Sequence, residues 1–308
     1  MNPGINAAVG RVCQVCGSPR LVRFGDIPGG TVYRCRGCGS KELYPARVSE
    51  AADPCSFGEA YRNAYDSKKA LAVFEFFRHR QPPAPVGSAS LLDIGCGDGS
   101  FLAAARHAGW IVFGLDTDPI AINHLKARGI SGIVGTLGEA TPQTRSYDVI
   151  TLWDLLEHVA DLVAAMRWLS KAVRPDGWIH VLTPDGGSVF DRLARARNLL
   201  PFGSRGRLLQ LCLNRYHRHR FTKCGLESLF ARFGFETKAV SSVQVFSLQP
   251  DVYLDGFAPG IDAWTASRSV NRATSRLAYS LLRALRIKNK ILYSGKRLQS
   301  AESDPNGP

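Results

Sequence analysis

The chain has 308 residues, 45% of them hydrophobic and 21% charged, an ordinary globular composition that excludes a collagenous, disordered or disulfide-scaffold class. Domains usually run about 100–200 residues, so the length accommodates one sizeable α/β core and a small accessory module. The net charge of +13 is unevenly placed: residues 192–223 hold nine Arg/Lys and no acid, residues 260–308 hold nine against three acids, and the rest is close to neutral.

Residues 1–11 carry no basic-then-apolar leader pattern, and no apolar run approaches the ~18–20 residues of a spanning helix, which predicts a cytoplasmic protein. Of eight cysteines, four form two Cys-x-x-Cys pairs, a usage that suits metal ligation in a reducing compartment. Cys13-Gln14-Val15-Cys16-Gly17 and Cys35-Arg36-Gly37-Cys38-Gly39 are two knuckles whose thiolates complete a tetrahedron around Zn²⁺. Between them Leu21–Phe24 and Thr31–Tyr33 are strand-like and flank the turn Pro28-Gly29-Gly30, which predicts a zinc ribbon over residues 1–45. Four cysteines leave no open coordination position, so Cys13, Cys16, Cys35 and Cys38 are expected to hold a structural metal. Cys55, Cys212 and Cys224 read as incidental small side chains.

Residues 46–87 read as a helical linker, with helical periodicity from Lys68 to Arg80 and a proline-rich break at 81–88. From Ser90 short apolar strands alternate with helical stretches, the pattern of a parallel sheet with helices on both faces. Leu91–Ile94 is the first strand and runs into Gly95-Cys96-Gly97-Asp98-Gly99, with a helix beginning near Phe101. A glycine turn between strand and helix lets main chain approach a ligand closely. The second strand, Ile111–Leu115, ends in Asp116, where an acid hydrogen-bonds a ribose diol in this architecture.

These residues resemble the class I S-adenosylmethionine (SAM)-dependent methyltransferases. Asp93–Gly99 is similar to that family's glycine motif, Gly114–Pro119 to its ribose-binding segment, Tyr147–Ile150 to its fourth strand, and Arg174–Trp178 with His180–Pro184 to its fifth-strand entry. The resemblance spans roughly residues 88–240, within a domain expected over 88–247, and implies a Rossmann-like α/β fold and SAM as cofactor. NAD(P) is the competing ligand of such a fold, but the third-glycine position of the dinucleotide fingerprint is absent. The resemblance implies that Asp93 and the backbone at Gly95 and Gly97 face the methionyl part of SAM. It further implies that Asp116 and Thr117 meet the ribose, Thr136 and Leu137 border the adenine, and Trp153 and Asp154 close the pocket.

More narrowly, Asp154-Leu155-Leu156-Glu157-His158-Val159 resembles the segment after the fourth strand in ubiquinone-biosynthesis O-methyltransferases, where Glu-His lies near the acceptor, in some cases around a divalent cation. Two readings of Glu157 and His158 stay open: a cap for the helix running from Asp161 to Val173, or a role for His158 as general base. Mg²⁺ is the less favoured option, because the shorter Asp154 replaces Glu and Mg²⁺ demands strict octahedral geometry. The segment Tyr216–Thr222 resembles the family's histidine-containing lead into the helix Leu226–Phe233 and makes His217 the second candidate base.

In residues 248–298, Arg272, Arg276, Arg283 and Arg286 fall on one helical face and Val270, Leu277, Leu281 and Leu285 on the other. This helix and the Leu-rich basic insertion at 192–223 read either as ordinary amphipathic packing or as a peripheral contact with the inner membrane surface or a phosphate-bearing acceptor. Ile291–Lys296 reads as the sheet's closing strand, and residues 299–308 as a flexible tail. The expected acceptor is a small molecule, glycan or lipid-linked compound, methylated at oxygen. RNA is the alternative, because a zinc ribbon and excess positive charge are a nucleic-acid footprint. Against it, the charge lies in Leu-rich segments rather than on an aromatic stacking surface. A third alternative is a catalytically silent SAM-fold binding module.

Overall fold

The computed structural model describes residues 11–27, 30–44, 67–80, 89–138, 147–189, 217–245, 280 and 284–299. Near the N-terminus, β1 (Leu21–Ile27), β2 (Gly30–Cys35) and β3 (Lys41–Tyr44) form an antiparallel meander. Both strands expected around the glycine turn are present and longer than their apolar cores, while Pro28 and Gly29 lie outside the described residues. A fourth strand, β9 (His219–Arg220), comes from far along the chain and pairs with β3 through Lys41↔Arg220 and Glu42↔His219.

The larger sheet has seven strands: β4 (Ser90–Ile94), β5 (Ile111–Asp116), β6 (Ser131–Val134), β7 (Tyr147–Trp153), β8 (Val173–Pro184), β10 (Phe235–Val243) and β11 (Lys290–Arg297). Their order is β10-β11-β8-β7-β4-β5-β6, parallel from β8 through β6 and antiparallel where β11 meets β8 and β10. The central strands β4 and β7 are almost wholly buried, which is why their apolar residues, such as Leu91, Leu92 and Ile94 or Val149, Ile150 and Leu152, do not alternate strictly with polar ones. β11 was expected to close the sheet, but it inserts between β8 and β10 and leaves β10 at the edge. Its Ile291, Leu292 and Tyr293 are buried, and such a run needs neighbours on both sides.

Helices cover both faces. On one side α1 (Ser67–Arg80), α2 (Ser100–His107) and α3 (Pro119–Ala127) share a cluster containing Phe77, Phe101, Leu102, Ile122 and Leu125. The predicted linker helix is thus packed into the core, with the Phe77 ring 5.6 Å from Phe101 and 5.3 Å from Trp110. On the other side α4 (Leu162–Ala172) and α5 (Lys223–Arg232) bury Met166, Leu169, Leu226 and Phe230. Their starts are set by capping side chains: Asp161 accepts from Ala164 N at 2.9 Å and Thr222 from Gly225 N at 3.0 Å.

Cys13, Val15, Leu21, Cys35 and Cys38 belong to that same second cluster, so the cysteine module is packed into the α4–α5 side of the body. Residues 45–66 and 190–216, the latter most of the basic insertion, lie outside the described residues, as do 246–279, 281–283 and everything after 299. Arg272, Arg276 and Arg283 of the amphipathic stripe are among them; Arg286 is described and has φ of 51°, where helical backbone cannot continue. Among the described residues no helix is long and apolar enough to cross a membrane.

Candidate functional site

β4 is the point where the sheet's winding reverses, since its two neighbours are β5 and β7. In such sheets the crevice at the carboxyl ends of the strands around that point is where ligands sit. The Gly95–Gly99 turn occupies it, and its glycines divide the work. A Cβ at Gly95 would approach Leu155 Cδ1 to 3.0 Å and one at Gly99 would approach Leu125 Cδ1 to 2.7 Å, whereas one at Gly97 meets nothing within 4 Å. With φ of 53°, Gly97 is the residue that fronts open space.

Beside it, Asp116 is buried at the tip of β5, with Oδ2 accepting from Gly97 N at 2.8 Å and Oδ1 from Asp118 N at 3.0 Å. Burial pushes its carboxyl above the usual range, and the amide hydrogen bonds oppose that shift. Each carboxylate oxygen has a second lone pair, so capacity for a diol remains. Asp93 is buried one strand away, and Thr151 Oγ1 donates to its Oδ1 at 2.6 Å. Thr117 and Thr136 are exposed, and Leu137 is half-buried just past β6. Trp153 closes the end of β7, its ring edge-on to Phe101 at 5.3 Å; its Nε1 is buried without a hydrogen-bond partner among the described residues. A glycine whose missing Cβ leaves a cradle, and a buried donor without a partner among the described residues at the end of the neighbouring strand, are what a bound amino-acid tail would use, so the residues present fit SAM.

Asp154, expected as a pocket wall, also has a structural partner. It has φ of 56° and forms an ion pair of 2.5 Å with Lys290 at the start of β11, both side chains largely buried. A single turn of 3-10 helix, Leu156–His158, follows. The capping reading of Glu157 and His158 fails, because α4 begins at Leu162 under Asp161 and these two residues sit in the earlier turn.

That turn meets the segment before β9. The rings of His158 and His217 are 4.8 Å apart and nearly perpendicular, and a Glu157 carboxylate oxygen lies with ring nitrogens of both inside 4.8 Å. Thr183 Oγ1 donates to Glu157 Oε2 at 2.9 Å. Burial, reinforced by the charge of Asp154, pushes Glu157 up to about 7. Burial, then the neighbouring His158, holds His217 well below the usual imidazole range; its Nδ1 is buried with no hydrogen-bond partner among the described residues. Sequence reasoning named both histidines but passed over Glu157 as more than a cap and missed Lys290 and Thr183. The Glu-His dipeptide pointed to the first, and nothing local marks the other two. Two imidazoles and one carboxylate are not the oxygen-rich set that Mg²⁺ prefers.

The four cysteine sulfurs all lie within 4.8 Å of one another, with Cys13–Cys38 at 3.9 Å and Cys16–Cys35 at 3.6 Å. Zn–S bonds of about 2.3 Å in a tetrahedron put sulfurs about 3.8 Å apart. The donors therefore fit a closed Zn²⁺ site.

A family model described as a methyltransferase domain matches residues 65–240. The ubiquinone biosynthesis O-methyltransferase of Rhizobium etli (strain CIAT 652) is 34% identical over 128 residues, covering 40% of this chain and 51% of that one. The Bordetella avium enzyme of the same name is 33% identical over 100 residues, covering 30% and 42%. The chain thus spans about half the length of the curated relatives it matches. Among solved structures, the Haemonchus contortus phospholethanolamine N-methyltransferase 2 superposes with a TM-score of 0.54 at 16% identity, covering 84% of this chain and 62% of that one. A Haloferax volcanii methyltransferase in complex with the Trm112 activator gives 0.52 at 15%, covering 81% and 96%. With the sheet order and the crevice at β4, these matches identify a Rossmann-like class I SAM-dependent methyltransferase fold, and the chain belongs to the methyltransferase domain family.

Proposed function

We propose that the protein transfers the methyl group of SAM to a hydroxyl of a small-molecule, glycan or lipid-linked acceptor. The observation that carries this reading is the His158–His217 pair with Glu157, in which Glu157 and His158 lie two and three residues after Leu155, the side chain nearest to Gly95 of the glycine turn. In this reading the pair supplies the base on the side of the turn where Leu155 meets Gly95. The oxygen preference is also supported by relatives named as O-methyltransferases.

SAM, when bound, supplies a methyl group already activated by a positively charged sulfur, so the residues have to orient, exclude water and manage one proton. The Gly97 backbone and the Trp153 indole N–H would hold the amino-acid end, Asp116 would accept from the ribose hydroxyls with Thr117 beside it, and Thr136 and Leu137 would border the base. His217 is kept uncharged at neutral pH by burial, so its ring nitrogen accepts the acceptor's proton as the new oxygen–carbon bond forms. Glu157, with a carboxyl near 7, stands close enough to both rings to steady the imidazolium so produced. Zn²⁺ held by the four cysteines would staple the ribbon and take no part in the chemistry.

Calorimetric titration with SAM on the wild type and on Asp116→Ala tests the cofactor site. A lost charged hydrogen bond of about 1.5–3 kcal/mol predicts affinity lower by about tenfold or more. Incubation with methyl-labelled SAM and separate lipid, glycan and RNA extracts, repeated with His158→Ala and His217→Ala, tests the acceptor. Label confined to RNA overturns the acceptor class, and absence of any SAM binding overturns the enzyme reading.

A further inference from the structure

We infer that the cysteine module is a positioning element of the acceptor site: strand β3 pins the backbone of His217–His219 in the register that holds His217 against His158. The inference rests on the reading of those histidines as the acceptor-side base.

The contacts form a continuous path. Arg218 is stitched on both sides, its N–H donating to Glu157 O at 2.8 Å and its carbonyl accepting from Leu43 N–H at 2.9 Å. The first of these fixes the peptide unit joining His217 to Arg218, and the second fixes the next one. His219 is paired with Glu42, and its Nε2 lies 3.1 Å from Val159 O. His217 therefore hangs from a backbone held between the ribbon and the Leu156–His158 turn, and ribbon and body together line one cleft that includes Leu43, Glu42, His217 and Arg218.

The other end of β3 is tied to the cysteines. Glu42 Oε1 accepts from Gln14 N at 2.9 Å and lies 3.0 Å from Cys13 Sγ. The knuckles are anchored on the body as well: Arg232 Nη1 donates to the carbonyls of Gln14 and Val15 at 2.8 and 2.9 Å, and Thr222 Oγ1 to that of Cys38 at 2.5 Å. A two-residue strand has no stability of its own, so β9 exists because β3 offers it an edge. The glycine turn, by contrast, is backed by Phe101, Leu102 and Leu125 in the opposite cluster. Loss of ribbon order should reach the histidines and spare the cofactor crevice.

The test uses the full zinc-loaded chain with histidine-selective isotope labelling. In wild type, nuclear Overhauser contacts between the His158 and His217 rings should be seen. Leu43→Pro removes the single N–H that reaches Arg218; it should keep one zinc per chain and bind S-adenosylhomocysteine within about twofold of wild type, as expected of distant sites, yet lose the ring–ring contact. Glu42→Ala, which leaves the strand backbone intact, should weaken the same contact, and Glu42→Gln should restore it. Zinc removal by a chelator should abolish it while S-adenosylhomocysteine binding persists. An unchanged ring–ring contact in Leu43→Pro or in zinc-free protein overturns the inference. So does loss of S-adenosylhomocysteine binding together with the ring–ring contact in Leu43→Pro and in zinc-free protein, which makes the ribbon a general staple. Normal methyl transfer by His217→Ala instead removes the base assignment and leaves these readouts interpretable on their own.

Discussion

Gly97 and Gly99 share a left-handed backbone, with φ of 53° and 72°, yet alanine at the two positions should have opposite consequences. At either one the strain costs about 1–2 kcal/mol. A Cβ at Gly97 meets nothing within 4 Å, so strain is the whole folding cost, whereas at Gly99 it would come within 2.7 Å of Leu125 Cδ1. Leu125 is fully buried and cannot step aside. Overpacking a filled core adds about 1–3 kcal/mol, so Gly99→Ala should lose about 2–5 kcal/mol of unfolding free energy against about 1–2 for Gly97→Ala. Cofactor binding should run the other way, because only the Gly97 methyl projects into the crevice. Urea denaturation measures the first pair of values, and calorimetric titration with SAM at a temperature where both variants fold measures the second. Gly97→Ala should bind at least about tenfold more weakly, or about 1.4 kcal/mol, while Gly99→Ala stays near wild type. Wild-type affinity in Gly97→Ala refutes the placement of the cofactor at this turn, and equal stability of the two variants refutes the packing argument.

Breaking the buried Asp154–Lys290 pair from one side by Lys290→Met should cost about 3–5 kcal/mol, and the double change with Asp154→Asn should recover much of it, because no isolated charge is then left. A double variant no more stable than the single one in urea would show that the charge is already solvated. Stability should also fall on acidification. His180 and His219 are buried and held down to about 3 and about 4, so below the ordinary imidazole value the unfolded chain takes up protons that the native state refuses. Each then loses about 2 kcal/mol by pH 5, while Glu157, raised to about 7, opposes the trend by binding its proton in the folded state, for about 2 kcal/mol in return. The urea midpoint should therefore drop between pH 7 and 5, and Glu157→Gln should drop further. A flat profile in both proteins contradicts these burial assignments.

What could be read from the sequence was local. Leu91–Ile94 and Ile111–Leu115 announced themselves because central parallel strands are buried on both faces and so are rich in apolar residues, whereas Tyr147–Ile150 was legible only through its resemblance to the family's fourth strand. The glycine turn and Asp116 followed from their spacing, and the two knuckles from ligand geometry. What escaped was made by pairing across long separations. β9 is two residues long and has no periodicity to detect. Lys290 finds Asp154 from 136 positions away. The burial that moves Glu157 comes from the packing of the surrounding fold, and the cap read at Glu157 and His158 belongs in the structure to Asp161, because the chain turns once more before the helix starts.

The place of β11 inside the sheet has a consequence for how the molecule is made. β10 ends at Val243 and its partner begins at Lys290, so during synthesis a ribosome must deliver the intervening stretch before either edge of β8 or β10 on that side is satisfied. Until then β8 shows an unpaired ladder of amides and carbonyls, the kind of surface that captures another nascent chain. That exposure ends only when β11 slides into the slot between β8 and β10.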